Sequence, residues 1–256
     1  MAFMKSENVE ILTRFSLSQR VQHILLIISF SMLALTGLPQ SFARMGWAQA
    51  WMSLWGGIDG VRKVHHLFAT LMAFVFFYHV IEVIGDLIGR RSQRSMLPGK
   101  QDLKDAWHAV NYLLGRRPDP PHYGRYDFRQ KLEYWALIWG TLLMGATGLV
   151  LMFPLFVSGI LSGVVVYAAK AAHGLEALLA VASIITWHVY NTHLARGVWP
   201  LDTSIFTGKI SHERMLDEHP LEYQRLLEPE VVAEEPPKAK RRRSKTENPV
   251  LKRRKK

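Results

Sequence analysis

The chain has 256 residues, is 49% hydrophobic, and carries a formal charge of +11 with 21% charged residues, an odd mixture for a soluble domain of average composition. The average hides two populations: apolar residues collect in four blocks, and positive charge collects between and after them, which marks a membrane protein with basic ends. There is no cysteine, which excludes disulfides, thiolate metal sites, iron–sulfur ligation and covalent c-type haem, so any redox centre must be held by histidine or methionine.

In chain order, residues 1–20 read as a charged N-terminal segment without a small-residue cleavage signature, so helix I itself is expected to be the targeting signal. Helix I is predicted over about Val21 to Leu38, II over Val64 to Ile88, III over Tyr134 to Phe156 and IV over Val166 to Leu194. Each is long enough for a hydrocarbon core of ~30 Å. Pro154 should end or kink helix III, and Gly159 and Gly163 punctuate the turn before IV. The membrane domain therefore covers 21–197, with a long loop at about 89–133, a post-helix segment at 198–227 and a basic tail at 228–256. The expected fold is all-α, an integral membrane four-helix bundle.

Charge orients the bundle. The II–III loop carries Lys and Arg at ten positions from Arg90 to Lys131, whereas the III–IV stretch offers only Lys170. The positive-inside rule then places both termini and the II–III loop in the cytoplasm of a bacterial inner membrane. The tail begins EPEVVAEEPPK and ends in KAKRRRSKTENPVLKRRKK. It is too polar for a core, is expected to be disordered, and beside a membrane face it reads as a topology determinant or anchor to anionic lipid; a nucleic-acid partner is not expected.

Seven of eleven histidines fall within or at the edge of the spans: His23 in I; His65, His66 and His79 in II; His173, His188 and His193 in IV. Ionisable groups at membrane depth are costly and usually functional. Antiparallel helices sort them into two layers: His65 and His173 at the outer ends, and His23, His79 and His188 toward the inner side. His65 to His79 spans 14 residues and His173 to His188 spans 15, about four turns each, so each pair shares roughly one face. Two layers at opposite depths suit two stacked haem b groups with histidine axial ligands between the helices. Zinc, the competing reading, gathers its ligands around one point. Gly37, Gly140, Gly145, Gly148 and Gly174 give room beside the histidines, although such residues also serve plain helix packing.

The run RVQHILLIISFSMLALTG, with RKVHHLFA opening II, GRYDFRQK leading into III, AAHGLEALL opening IV and TGKISHERMLDEHP beyond it, resembles the cytochrome b gamma subunit of respiratory formate dehydrogenases and the b-type cytochromes of nickel–iron hydrogenases. The resemblance covers about residues 12 to 220. It implies an outer haem between His65 and His173, with His66 as fallback for His65, and an inner haem between His23 and His188. Helix IV is one residue longer than that pattern: Trp187 stands where the ligand is expected and His188 follows it, an excess that a local π-bulge would absorb. The spacing on II and IV also resembles the haem helices of cytochrome b and b6 subunits of quinol-oxidising complexes, which pairs His79 with His188 instead. His23 and His79 cannot both join His188 on one iron, and the one left over would line a quinone pocket or, with His193, hold a third haem.

The same resemblance puts Tyr126, Asp127 and Arg129, just before helix III, at a site for menaquinone or ubiquinone, with Asp127 where the family usually has asparagine. An aspartate there is also able to exchange the proton that quinone chemistry requires. Read only as a solvated loop, the same residues cap helix III. Glu82 and Asp86 fit a proton relay or simply the water interface, Glu176 fits a contact to the outer cofactor, and Arg62 and Lys63 fit haem propionates. The expected function is that of a di-haem b subunit of a respiratory complex, carrying electrons between the quinone pool and a periplasmic iron–sulfur or multihaem c-type cytochrome subunit. The rival readings are an electron-wiring anchor without its own quinone site and a non-redox membrane protein whose histidines bind metal or protons.

Overall fold

In the computed structural model of the protein, the described residues are 11–89, 95–195, 198–199 and 201–226. The proposed basic tail and Arg90, Arg91 and Arg94 of the II–III loop lie outside them. Four helices are long and apolar enough to cross a membrane: α1 (Leu17–Ser41), α3 (Gly57–Ile88), α5 (Phe128–Met152), and α7 (Val164–Ser183) with its continuation to Leu194. Their apolar side chains face outward, with Phe77 62% and Leu149 61% exposed, which only hydrocarbon surroundings make favourable. The chain is an all-helical membrane bundle.

The helices start where their sequences cap them. Ser16 accepts the backbone N–H of Gln19 and Asp127 that of Gln130, while each glutamine side chain returns to the cap's own N–H. These are two capping boxes, each satisfying donors that a helix start leaves orphaned. They place the starts of helices I and III four and six residues earlier than the hydrophobic runs suggested, because capping turns are polar and invisible to hydropathy. Helix II likewise begins early, at Gly57, where Gly56 and Gly57 are both left-handed (φ 83° and 81°), a conformation that favours glycine.

Pro154 acts as expected. Helix α5 stops at Met152, short of the predicted Phe156, and α6 (Pro154–Ile160) starts on the proline, which lacks the N–H that a continuing helix would need. Pro39 sits inside α1 and leaves the Leu35 carbonyl without its helical donor; the Trp51 indole N–H of α2 (Gly46–Ser53) fills that vacancy at 2.9 Å and pins the short helix onto α1.

The long II–III connection is more ordered than a loop. It contains α4 (Lys100–Leu113), tied to α5 by Lys131–Asp102 at 2.7 Å and by the Trp135 indole on the Met96 carbonyl at 3.0 Å. The segments flanking the bundle also pair: β1 (Ile11–Thr13) and β2 (Lys209–Ser211) form an antiparallel ladder with Ile11 opposite Ser211, between α8 (Ser204–Thr207) and α9 (His212–Glu218). We call the end of the bundle that carries these segments the near end, and the opposite one the far end.

A buried polar cluster closes the near end. The Arg14 guanidinium donates to the Arg125 carbonyl at 2.6 Å, and Arg125 donates back to the Arg14 carbonyl at 3.0 Å. His219, 3% exposed, donates through Nδ1 to the Gly124 carbonyl at 2.7 Å and accepts from Arg14 through Nε2 at 3.1 Å. Arg125 also pairs with the buried Glu222 at 3.4 Å. Burial, reinforced by Arg14, pushes the His219 imidazole down to about 4.

Candidate functional site

Antiparallel helices bring the histidines into two pairs. His65 of α3 and His173 of α7 face each other at the far end with ring centres 6.4 Å apart, and His23 of α1 faces His188 at the near end at 6.2 Å. Two imidazoles that reach one metal at about 2 Å from opposite sides have ring centres roughly 6 Å apart. Both pairs therefore have the span of a bis-imidazole axial site.

The hydrogen bonds around the far-end pair fix its chemistry. Thr36 Oγ1 is 2.6 Å from the Met32 carbonyl, so its one hydrogen is committed there and its oxygen can only accept from His65 Nδ1, 2.9 Å away. Thr147 does the same on α5, with the Leu143 carbonyl at 2.7 Å and His173 Nδ1 at 2.9 Å. Each imidazole is thereby held with the proton on Nδ1 and a free lone pair on Nε2, the form that binds a metal. The following glycines are required by the same contact: a Cβ on Gly37 would stand 3.1 Å from His65 Cε1, and one on Gly148 would stand 3.3 Å from His173 Cε1. Gly37 and Gly148 clear space for ligand rings as well as for helix packing.

At the near end, Glu133 of α5 accepts from His188 Nδ1 at 2.7 Å and leaves its Nε2 free in the same way. His23 is half-buried, and its Nδ1 is buried without a hydrogen-bond partner. His188 reaches this position because α7 widens: Ile184–His188 and Tyr190–Leu194 are π-helical turns, with Ala195 N–H bonded to the Tyr190 carbonyl five residues back at 2.9 Å. The expected π-bulge is present, and it rotates Trp187 outward, 44% exposed, while His188 takes the inward place.

His79 has a hydrogen-bond partner on each ring nitrogen. Gln22 spends both amide hydrogens, on Ser18 Oγ at 2.9 Å and on Glu82, so its Oε1 receives His79 Nδ1–H at 2.9 Å. With the proton on Nδ1, His79 Nε2 must accept, and it takes the Tyr134 hydroxyl at 3.0 Å. The lone pair that a metal would need is occupied. His66 joins neither ring pair, and His193 accepts the Asp202 N–H through Nδ1 at 3.3 Å. Among the described residues no group of three or more His, Asp or Glu side chains converges on one point, as the zinc reading would require.

The segment before α5 is placed at the near end. Asp127 is 5% exposed; its Oδ1 caps Gln130 N at 2.8 Å and its Oδ2 receives Arg129 at 2.6 and 3.0 Å. Both of its oxygens are engaged. Tyr126 lies between the Arg14 and Arg125 guanidiniums, 5.3 and 5.6 Å from its ring centre. Arg62 pairs with Asp59 at 3.2 Å. Glu176 stands against Gly140, where its Oε1 would meet an added Cβ at 2.9 Å.

The partners Thr36, Thr147, Glu133, Gln22 and Tyr134 were missed from the sequence, yet a signal for them exists. RFSLSQR at residues 14–20 returns as RYDFRQK at 125–131, an offset of 111, and TGL at 36–38 returns at 147–149 in the same register. Gln22 and Glu133 are related by that offset, as are His23 and Tyr134. Helices α1 and α5 are two copies of one pattern, and each serves the histidine helix that follows it.

The sequence matches the prokaryotic cytochrome b561 family over residues 14–200. The chain belongs to that family. The cytochrome b556 subunit of the nitrate-inducible formate dehydrogenase of Escherichia coli (strain K12) is 22% identical over 227 residues, covering 88% of this chain and 96% of that one. The formate dehydrogenase cytochrome b556 subunit of Haemophilus influenzae is 25% identical over 178 residues, covering 70% and 69%. Family membership makes the chain a b-type cytochrome of membrane electron transport. The residues fit a haem: facing imidazoles of the right span, Nδ1 partners that leave Nε2 free, and glycines that admit the rings.

Proposed function

We propose that the chain is the di-haem b membrane subunit of a respiratory complex, moving electrons between a quinone pool at the near end and a redox partner subunit at the far end. The ligands are His65 with His173 and His23 with His188. The observation that carries the reading is the matched pair of threonine-to-Nδ1 hydrogen bonds at 2.9 Å, since nothing in plain helix packing calls for two facing imidazoles held in the same metal-binding tautomer. Haem b at these two positions supplies one-electron transfer across the thickness of the membrane.

His23 rather than His79 is assigned to the near-end site because His79 Nε2 is taken by Tyr134. Glu133 orients His188 and adds negative character to it. The basic II–III connection sits at the near end, which puts that end in the cytoplasm. The far end then faces the periplasm and the redox partner, an iron–sulfur or multihaem c-type cytochrome subunit; that the relatives are named as subunits of formate dehydrogenases supports a partner subunit of some kind. Quinone, menaquinone or ubiquinone, is placed beside His188, in reach of Glu133 and of the Tyr126–Asp127–Arg129 segment. Asp127 there acts by holding Arg129 and the start of α5 in position.

Anaerobic mixing of the purified protein with a reduced short-chain quinol tests the assignment. Quinol should reduce the haem in the parent, and Glu133→Gln, which keeps an acceptor for His188 but cannot take up a proton, should slow this at least tenfold while dithionite still reduces the full haem content. Unchanged quinol reduction in the variant would remove the quinone site from this position.

A further inference from the structure

The near end carries its polar arrangement twice. Glu133 receives His188 Nδ1–H, and Gln22, at the 111-residue offset, receives His79 Nδ1–H. His23 faces His188, and Tyr134, at the same offset, faces His79. In the second copy the hydroxyl of Tyr134 occupies the ring nitrogen, so Gln22, His79, Tyr134 and Glu82 form a polar chain inside the spans with no part in holding an iron. Polar groups at that depth are costly and are retained for a use.

Beside this second copy, α1 and α3 leave a cavity of about 150 Å³. Its walls are the apolar Val21, Leu25 and Phe74, and its polar groups are Ser18, Gln22 and Tyr78. Gln22 has no hydrogen to spare. Ser18 Oγ accepts from Gln22 and lies 3.3 Å from the Tyr78 hydroxyl. One of the two hydroxyl hydrogens serves that contact, and the other has no acceptor among the described residues. The groove thus offers an apolar recess with one free O–H donor. Phe74, 64% exposed, and Val21, 47% exposed, open it to lipid.

We propose that this groove binds the ring of a second membrane quinone, one carbonyl accepting from the Ser18–Tyr78 hydroxyls and the isoprenoid tail leaving past Phe74. The inference rests on the quinone-linked reading above and adds a position on the opposite helical hairpin from Glu133. An acyl chain would leave the hydroxyl hydrogen unmatched. An anionic lipid headgroup would meet Glu82 behind Gln22 instead of a cation.

The test is binding stoichiometry of a fluorescent hydroxyquinoline N-oxide, a quinol-ring analogue with an acceptor oxygen, to the full chain in nanodiscs. Two molecules per chain are expected in the parent. Leu25→Trp, which fills the slot, should leave one, and Ser18→Ala with Tyr78→Phe should weaken one of the two about tenfold, both with haem content unchanged. Glu133→Leu should abolish the other. A single molecule per chain that survives Leu25→Trp and is lost in Glu133→Leu overturns the second site while leaving the first. No binding to the parent overturns both.

Discussion

Replacing Thr36 with valine changes almost nothing in shape and removes one oxygen. That oxygen is the acceptor for His65 Nδ1–H at 2.9 Å, in a side chain with no solvent exposure. A buried donor left unmatched costs about 1–3 kcal/mol, and the imidazole loses the contact that fixes its tautomer. Outer-shell partners of this kind typically change metal affinity by about ten- to a hundredfold. Thr36→Val should therefore weaken the far-end haem by that factor, and Thr147→Val should do the same through His173. The double variant should lose the far-end haem on dilution while keeping the near-end one. Titration of apoprotein with haem, followed by optical spectra and pyridine haemochrome content, measures this directly. Thr36→Ser should restore affinity, because serine makes the same back-bond to the helix carbonyl and accepts in the same way. A double variant that keeps two haems with undiminished affinity would refute the claim that the threonines set the ligands' tautomer.

Gly37→Val places a branched side chain where even a Cβ lies 3.1 Å from His65 Cε1; overpacking of this kind costs about 1–3 kcal/mol, and the far-end haem alone should be depleted in the purified variant. Glu133→Gln keeps an acceptor for His188 but removes its charge, and since charge-assisted hydrogen bonds are roughly twice as strong as neutral ones, a loss of about 1 kcal/mol should raise the near-end midpoint potential by some 40 mV in a redox titration. His219 is held neutral, its pKa depressed to about 4, so the unfolded chain binds the proton first. Stability of the near-end closure is complete above about pH 6.5, falls by on the order of 2 kcal/mol by pH 5 and is lost through pH 4; hydrogen exchange of residues 208–219 should accelerate over that window, and His219→Gln should flatten the response.

Much of the architecture is legible in the chain because a membrane span leaves no choice: some twenty apolar residues must form a helix that satisfies its own backbone. Pro154 and the extra residue on helix IV were readable for equally local reasons, a missing N–H and a register that only a wide turn restores. The partners of the histidines were not. A threonine in an apolar helix usually bonds its own backbone, and Thr36 and Thr147 do so; only the packing of the neighbouring helix shows that the second lone pair is used. Glu133 lay just outside the predicted span, whereas capping by Asp127 starts α5 at Phe128 and carries Glu133 into the bundle opposite His188. Asp127 itself carries the D-x-x-Q capping signature. That signature gave the cap on Gln130 directly, whereas a quinone contact at Asp127 came only through the resemblance. Spacing left the competition between His23 and His79 open, and the proposed choice of His23 rests on a single hydroxyl from another helix, that of Tyr134.

The most direct measurement is haem b content per chain by the pyridine haemochrome method, in the parent and in His23→Ala and His79→Ala variants. The account predicts two haems in the parent, two in His79→Ala and one in His23→Ala. A haem lost from His79→Ala and retained in His23→Ala, or a parent protein without haem, would contradict it.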